Sequence, residues 1–209
     1  MSDVVAVLKK SPVIPVLAFV NEEEAVKVCR VLFDEGLSVL EITLRHPTAL
    51  AAINAVKQDL PDDACVGAGT VITPALAEAS VEAGAEFGVS PGLTADLAAA
   101  VKRLNWPFLP GIATLSEAMQ AREWGFEALK FFPANISGGT GFLKAVGSVL
   151  PDLTFCPTGG ISVDTAPDYR ALPNVATVGG SWITPRSKGG DIDLGLVREL
   201  ARTAVESAL

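Results

Sequence analysis

The strongest constraint on the fold is an alternation. Short apolar runs with strand character trade places with longer stretches of helical periodicity along nearly the whole chain. The runs are Val13-Ile-Pro-Val-Leu-Ala18, Leu37-Ser-Val-Leu-Glu-Ile-Thr43, Ala64-Cys-Val-Gly-Ala-Gly69 and Glu86-Phe-Gly-Val-Ser90. After them come Pro107-Phe-Leu-Pro-Gly111, Ala128-Leu-Lys-Phe-Phe132, Leu153-Thr-Phe-Cys-Pro157 and Val175-Ala-Thr-Val-Gly179. Helical patterns fill 22–35, 47–60, 74–83, 94–104, 116–124, 141–150 and 191–208, with a weaker piece at 163–171 interrupted by Pro167. Near-continuous apolar strands, each followed by a helix, belong to parallel sheets covered on both faces. Eight such units in 209 residues predict a small (β/α)8 TIM barrel, one domain over 1–209, preceded by a short amphipathic helix in residues 1–10. A doubly wound open sheet is the competitor. It is weakened because the first strand ends in Phe19-Val-Asn21 and not in a Gly-x-Gly-x-x-Gly turn.

Local punctuation agrees with this layout. Asn21 is a good N-cap for the first long helix, which Gly36 ends. Pro47 and Pro74 sit where first-turn prolines belong, and Gly84 and Gly125 fall just past helix ends.

Composition removes several function classes. Apolar residues make up 49% of the chain, yet no run approaches the ~18 uninterrupted apolar residues of a membrane span, and the N-terminus does not read as a signal peptide. A formal charge of −8 without a basic cluster argues against nucleic-acid binding. The single histidine, His46, argues against a His-based metal site or a Ser–His triad and reads as a loop residue. Cys29, Cys65 and Cys156 are widely spaced among apolar neighbours, as core cysteines of a reducing compartment are. The chain is expected to be cytoplasmic, with no metal or cofactor.

One charge sits where charges are rarely found. Lys130 lies in the middle of an apolar strand, and lysine is almost never fully buried unless paired or used. A buried lysine can serve as a nucleophile toward carbonyl groups. A side chain that snorkels out at the strand end is the structural alternative. Strand parity supplies companions. In the second strand Leu37, Val39, Glu41, Thr43 and Arg45 share one face, with Glu41 and Arg45 toward the C-terminal end, where barrel active sites form. Glu41 and Arg45 either neutralise each other for structure or face a ligand, Glu41 as an acid or base and Arg45 as a fork for a carboxylate. A lysine and a carboxylate converging in an apolar interior suit carbonyl chemistry through a Schiff base. Glycine-bearing turns are expected after strands three, seven and eight: Gly67-Ala-Gly-Thr70, Thr158-Gly-Gly-Ile161 and Val178-Gly-Gly-Ser181. The last two occupy the position where barrels hold phosphate on bare backbone N–H groups, although tight turns alone would use the same glycines. Trp106, Trp124 and Trp182 read as packing residues, with Trp182 a candidate for the mouth of the site.

Seven motifs then fall in a recognisable order: Glu41-Ile-Thr-Leu-Arg45, Val66-Gly-Ala-Gly-Thr-Val71, Val89-Ser-Pro-Gly92, Pro110-Gly-Ile-Ala-Thr114, Lys130-Phe-Phe-Pro-Ala134, Cys156-Pro-Thr-Gly-Gly-Ile161 and Gly179-Gly-Ser-Trp182. Together they resemble the 2-keto-3-deoxy-6-phosphogluconate aldolase family, the class I aldolases of the Entner–Doudoroff pathway, often also active on 4-hydroxy-2-oxoglutarate. The resemblance implies that Lys130 forms the Schiff base and Glu41 is the general acid/base. It also implies that Arg45 and Thr70 hold the pyruvate carboxylate and that Pro91 and Phe132 line its pocket. Thr158 would lie near the sugar hydroxyls, and Gly159, Gly160, Gly179 and Ser181 would cradle the phosphate. Relatives acting on the galactonate epimer tend to lack a threonine before the Gly-Gly, so Thr158 favours the gluconate-derived substrate. The family implies metal independence and a homotrimer. The alternatives are a related pyruvate aldolase for an epimeric or unphosphorylated acid, and a non-catalytic phosphosugar-binding barrel.

Overall fold

The computed structural model describes residues 4–187 and 190–207. Met1, Ser2 and Asp3 of the expected N-terminal helix, and Ala208 of the expected last helix, lie outside the described residues. The described elements run α1 (Val4–Leu8), β1 (Val13–Leu17), α2 (Glu22–Asp34), β2 (Val39–Thr43), α3 (Ala49–Asp59), β3 (Cys65–Gly69), α4 (Pro74–Glu82), β4 (Phe87–Val89) and α5 (Ala95–Arg103). They continue with β5 (Phe108–Leu109), β6 (Gly111–Ile112), α6 (Leu115–Glu123), β7 (Ala128–Phe131), α7 (Gly139–Val149), β8 (Thr154–Pro157), α8 (Ala166–Arg170), β9 (Val178–Gly180) and α9 (Leu194–Glu206).

Among the described residues every pairing between these strands is parallel. A six-stranded sheet has the order β5-β4-β3-β2-β1-β9, and a three-stranded sheet has the order β6-β7-β8. Isolated parallel bridges, Phe155 with Val175 and Thr158 with Gly179, connect the β8 side to the β9 side. At the other junction the expected fifth strand is split in two by Pro110. Proline has no N–H to give to a ladder. Its carbonyl still accepts from Lys130 N at 2.8 Å, and Gly111 N reaches the Ser90 hydroxyl at 3.4 Å.

The helices start where short polar side chains cap them. Asn21, Thr73, Thr94 and Thr114 each accept a backbone N–H from the first turn of the helix that follows, and Glu117 completes a capping box with Thr114. Gly36, Gly84 and Gly125 close helices at positive φ, as a C-terminal glycine does. Pro74 opens α4 as expected, but Pro47 precedes its helix. The α3 cap is Thr48, whose hydroxyl lies 2.8 Å from His46 Nδ1 and makes no cap hydrogen bond. The last strand starts at Val178, later than expected, because Val175 makes only its isolated bridge.

Two apolar cores result. The larger lies between the strands and the helices. The smaller gathers Ile14, Val39, Cys65, Phe87, Val89, Leu109, Ala128 and Cys156 from both sheets, with Leu8 of α1 packed into it and fully buried. This inner core forms the floor on which the polar residues at the strands' C-terminal ends sit.

Candidate active site

β2 and β7 bring opposite charges together above that floor. Lys130 Nζ lies 3.3 Å from Glu41 Oε1, and the two residues are only 6% and 3% exposed. The snorkelling alternative for Lys130 is thereby excluded. Each ion taken out of water costs several kcal/mol even after relaxation, so a chain gains little by placing such a pair here for stability. The ring of Phe132 stands 5.3 Å from the ammonium, close enough for a favourable cation–π contact. Cys156 lies in the same interior, and burial pushes its thiol up to about 12. That makes it a small apolar wall, not a second nucleophile.

Arg45 departs from the parity reading. β2 ends at Thr43, so Arg45 sits in the following turn and is exposed. The alternative of a self-neutralising Glu41–Arg45 pair fails, since the carboxylate is engaged by Lys130. Arg45 is left exposed two residues beyond the end of β2.

Gly67 and Gly69 also differ from expectation: they belong to β3 itself, not to a turn after it. The residue that leaves the strand is Thr70, held at φ 61°. A β-branched side chain is a genuine outlier there, and such strain costs about 1–3 kcal/mol and concentrates at functional sites. Pro91 follows β4, and its carbonyl group packs so closely on Gly111 that a Cβ there would meet it at 2.3 Å.

The glycine pairs lie side by side. The Thr158–Gly179 bridge joins the turn after β8 to the end of β9, and a Cβ on Gly179 would lie 2.2 Å from the Thr158 hydroxyl. Gly159 and Gly160 both adopt positive φ, 99° and 73°, which bars ordinary side chains from consecutive positions. Thr158 is buried at 6% exposure, whereas Ser181 is exposed just beyond β9. The amides of Gly159, Gly160 and Ser181 donate no hydrogen bond among the described residues, so they are available to an anion.

Trp182 does not line the mouth. Its ring covers Gly180, where a Cβ would meet it at 2.1 Å, and it packs with the larger, outer core. Trp106 is a packing residue that donates to Ala85 O at 2.9 Å. Among the described residues no group of acidic, histidine and cysteine side chains forms a metal cluster, and no helix is long and apolar enough to cross a membrane.

A parallel α/β scaffold with a desolvated lysine–carboxylate pair at its strand ends is the layout of a Schiff-base lyase. The chain belongs to the KDPG and KHG aldolase family, whose model matches residues 4–197. It is 44% identical over 203 residues to a 2-dehydro-3-deoxy-phosphogluconate aldolase from Pseudoalteromonas atlantica, covering 97% of this chain and 94% of the relative. It is 42% identical over 205 residues to the KHG/KDPG aldolase of Escherichia coli, with 97% and 95% covered. Among solved structures it superposes at a TM-score of 0.93, with 42% identity and 98% of each chain covered, on a Legionella pneumophila KDPG aldolase. That enzyme holds pyruvate captured as a covalent carbinolamine.

Proposed function

We propose that this chain is a class I aldolase that cleaves 2-keto-3-deoxy-6-phosphogluconate to pyruvate and glyceraldehyde 3-phosphate. The buried Lys130–Glu41 pair, 3.3 Å apart, carries the reading. The Lys130 amine attacks the C2 ketone and water leaves, giving an iminium that serves as the electron sink. Glu41, through a water, takes the proton of the C4 hydroxyl. The C3–C4 bond breaks, its electrons pass into an enamine, and the aldehyde departs. Protonation at C3 and hydrolysis release pyruvate and restore the amine. Arg45 and Thr70 hold the carboxylate, with Pro91 and Phe132 against the pyruvyl carbons. Thr158 contacts the hydroxyls of the sugar chain. Gly159, Gly160, Gly179 and Ser181 receive the phosphate, supported by the free amides and left-handed glycines of that corner. No cofactor takes part.

A second substrate, 4-hydroxy-2-oxoglutarate, is favoured by the double activity named for the Escherichia coli relative. It uses the same lysine and carboxylate and needs no phosphate site. The strands close as one (β/α)8 barrel domain, supported by the two bridges that link β8 to β9 and by an inner core fed from both sheets. The active form is a homotrimer in the cytoplasm. Exposed Val20, Ile72 and Ile136 are apolar surface that an assembly would cover, and three free buried cysteines suit a reducing compartment.

The test is pyruvate release from the two acids and from the dephosphorylated form of the first, 2-keto-3-deoxygluconate. Cleavage of 2-keto-3-deoxy-6-phosphogluconate with a large kcat/KM loss on removing its phosphate supports the assignment. No pyruvate from either acid refutes it, and equal turnover with and without phosphate removes the phosphate site.

A further inference from the structure

Glu41 does not stand straight across from its ladder partner. In the β2–β3 register Glu41 faces Gly67, and Thr43 faces Gly69. Yet the carboxylate lies over Gly69: a Cβ added there would sit 2.2 Å from Oε1, 2.7 Å from Cγ and 2.8 Å from Cδ. The place opposite is already taken from the other side. A Cβ on Gly67 would meet the Phe87 ring at 2.4 Å, and that ring is buried in the inner core. The side chain therefore leans along the strand, as side chains on a sheet do, and Gly69 is where it fits.

We infer that Gly69 is a positioning residue for the reaction: its bare backbone lets the Glu41 carboxylate lie across β3 and meet Lys130. The inference rests on the aldolase reading of the site. Any side chain at 69 overlaps three atoms of Glu41, so the carboxylate must move by about 1 Å to recover ordinary carbon contact distances. A shift of that size is enough to break its 3.3 Å contact with Lys130. Glu41 is 3% exposed, which leaves it no solvent to swing into. A misplacement of this size costs a rate on the order of 10²-fold. The amine itself is untouched, so imine formation continues while proton transfer fails.

The experiment is a double-mutant cycle between Gly69→Ala and Glu41→Gln. Gly69→Ala is expected to lower kcat on 2-keto-3-deoxy-6-phosphogluconate by about 10²-fold, with KM little changed. Pyruvate is still trapped on Lys130 by borohydride, and solvent exchange of the pyruvate methyl protons slows in step with kcat. Added to Glu41→Gln, the alanine changes kcat by less than about threefold, because the two substitutions remove the same function. Losses that multiply, or a Gly69→Ala protein as fast as the unaltered one, overturn the inference. Thermal midpoints keep the test open if Gly69→Ala folds poorly. Its penalty is expected to vanish in Glu41→Ala, which removes the obstructing atoms, and a penalty of the same size there overturns the inference. The aldolase reading fails separately, by an unaltered protein that traps no pyruvate.

Discussion

Replacing Lys130 with methionine removes one half of a buried ion pair while keeping most of the side chain's bulk. At 3.3 Å and an effective dielectric of about 20, Coulomb's law gives roughly 5 kcal/mol of attraction. Desolvation costs several kcal/mol per ion, so the intact pair contributes little net stability. A lone Glu41 carboxylate, 3% exposed, is a different matter. Breaking such a pair on one side costs about 3–5 kcal/mol, and at about 2–4 °C per kcal/mol for a chain of this size the midpoint falls by roughly 6–20 °C. Removing both charges, as in Lys130→Met with Glu41→Leu, is expected to restore stability to within about 1 kcal/mol of the original or to exceed it. Urea unfolding followed by tryptophan fluorescence at fixed protein concentration measures all three proteins, the fixed concentration guarding against assembly effects. A single variant as stable as the original, or a double variant as weak as the single one, would refute the view that this pair is kept for chemistry at no gain in stability.

Thr70→Gly relieves the left-handed strain, worth about 1–3 kcal/mol, against about 0.5–1 kcal/mol of added chain entropy. It should raise stability by about 1 kcal/mol while raising KM, and a net loss of stability in the same unfolding assay contradicts the strain. The Arg186 guanidinium, 2.7 Å from Glu24, holds the Glu24 carboxyl below its ordinary 4.5. A depressed folded value means the pair stabilises above the unfolded value and loses that contribution as pH falls through the folded one. The penalty for Glu24→Gln should therefore be full at pH 7 and shrink below about pH 4.5; an equal penalty at pH 3 and pH 7 contradicts the linkage.

The alternation of strands and helices was legible because local pattern and turn chemistry agree with the fold at almost every unit. Lys130 and Glu41 were legible for a related reason: a charge inside an apolar strand has few explanations, and parity says which face it takes. The placing of Arg45 on the strand face does not hold, because parity lasts only as long as the strand and β2 ends at Thr43. Pro47 falls short of its helix because a turn intervenes, with Ala49 N donating to His46 O, and α3 begins only at Ala49. Pro110 was visible, but one residue does not reveal that the ladder changes sheets around it. The role of Gly69 could not be seen at all from the chain. It depends on Phe87 occupying the neighbouring place over Gly67, a contact set by the register of three strands. Trp182 is a candidate for the mouth by sequence position alone; strand parity turns it away, since Gly179 faces Thr158 and Gly180 faces the tryptophan.

The central claim is that the Lys130 amine bonds the substrate. Incubation with pyruvate and borohydride, followed by peptide mapping in a mass spectrometer, tests it most directly. The expected result is a reduced pyruvate adduct on Lys130 alone, lost in Lys130→Met and retained in Glu41→Gln. Absence of any adduct, or an adduct on another lysine, would contradict it.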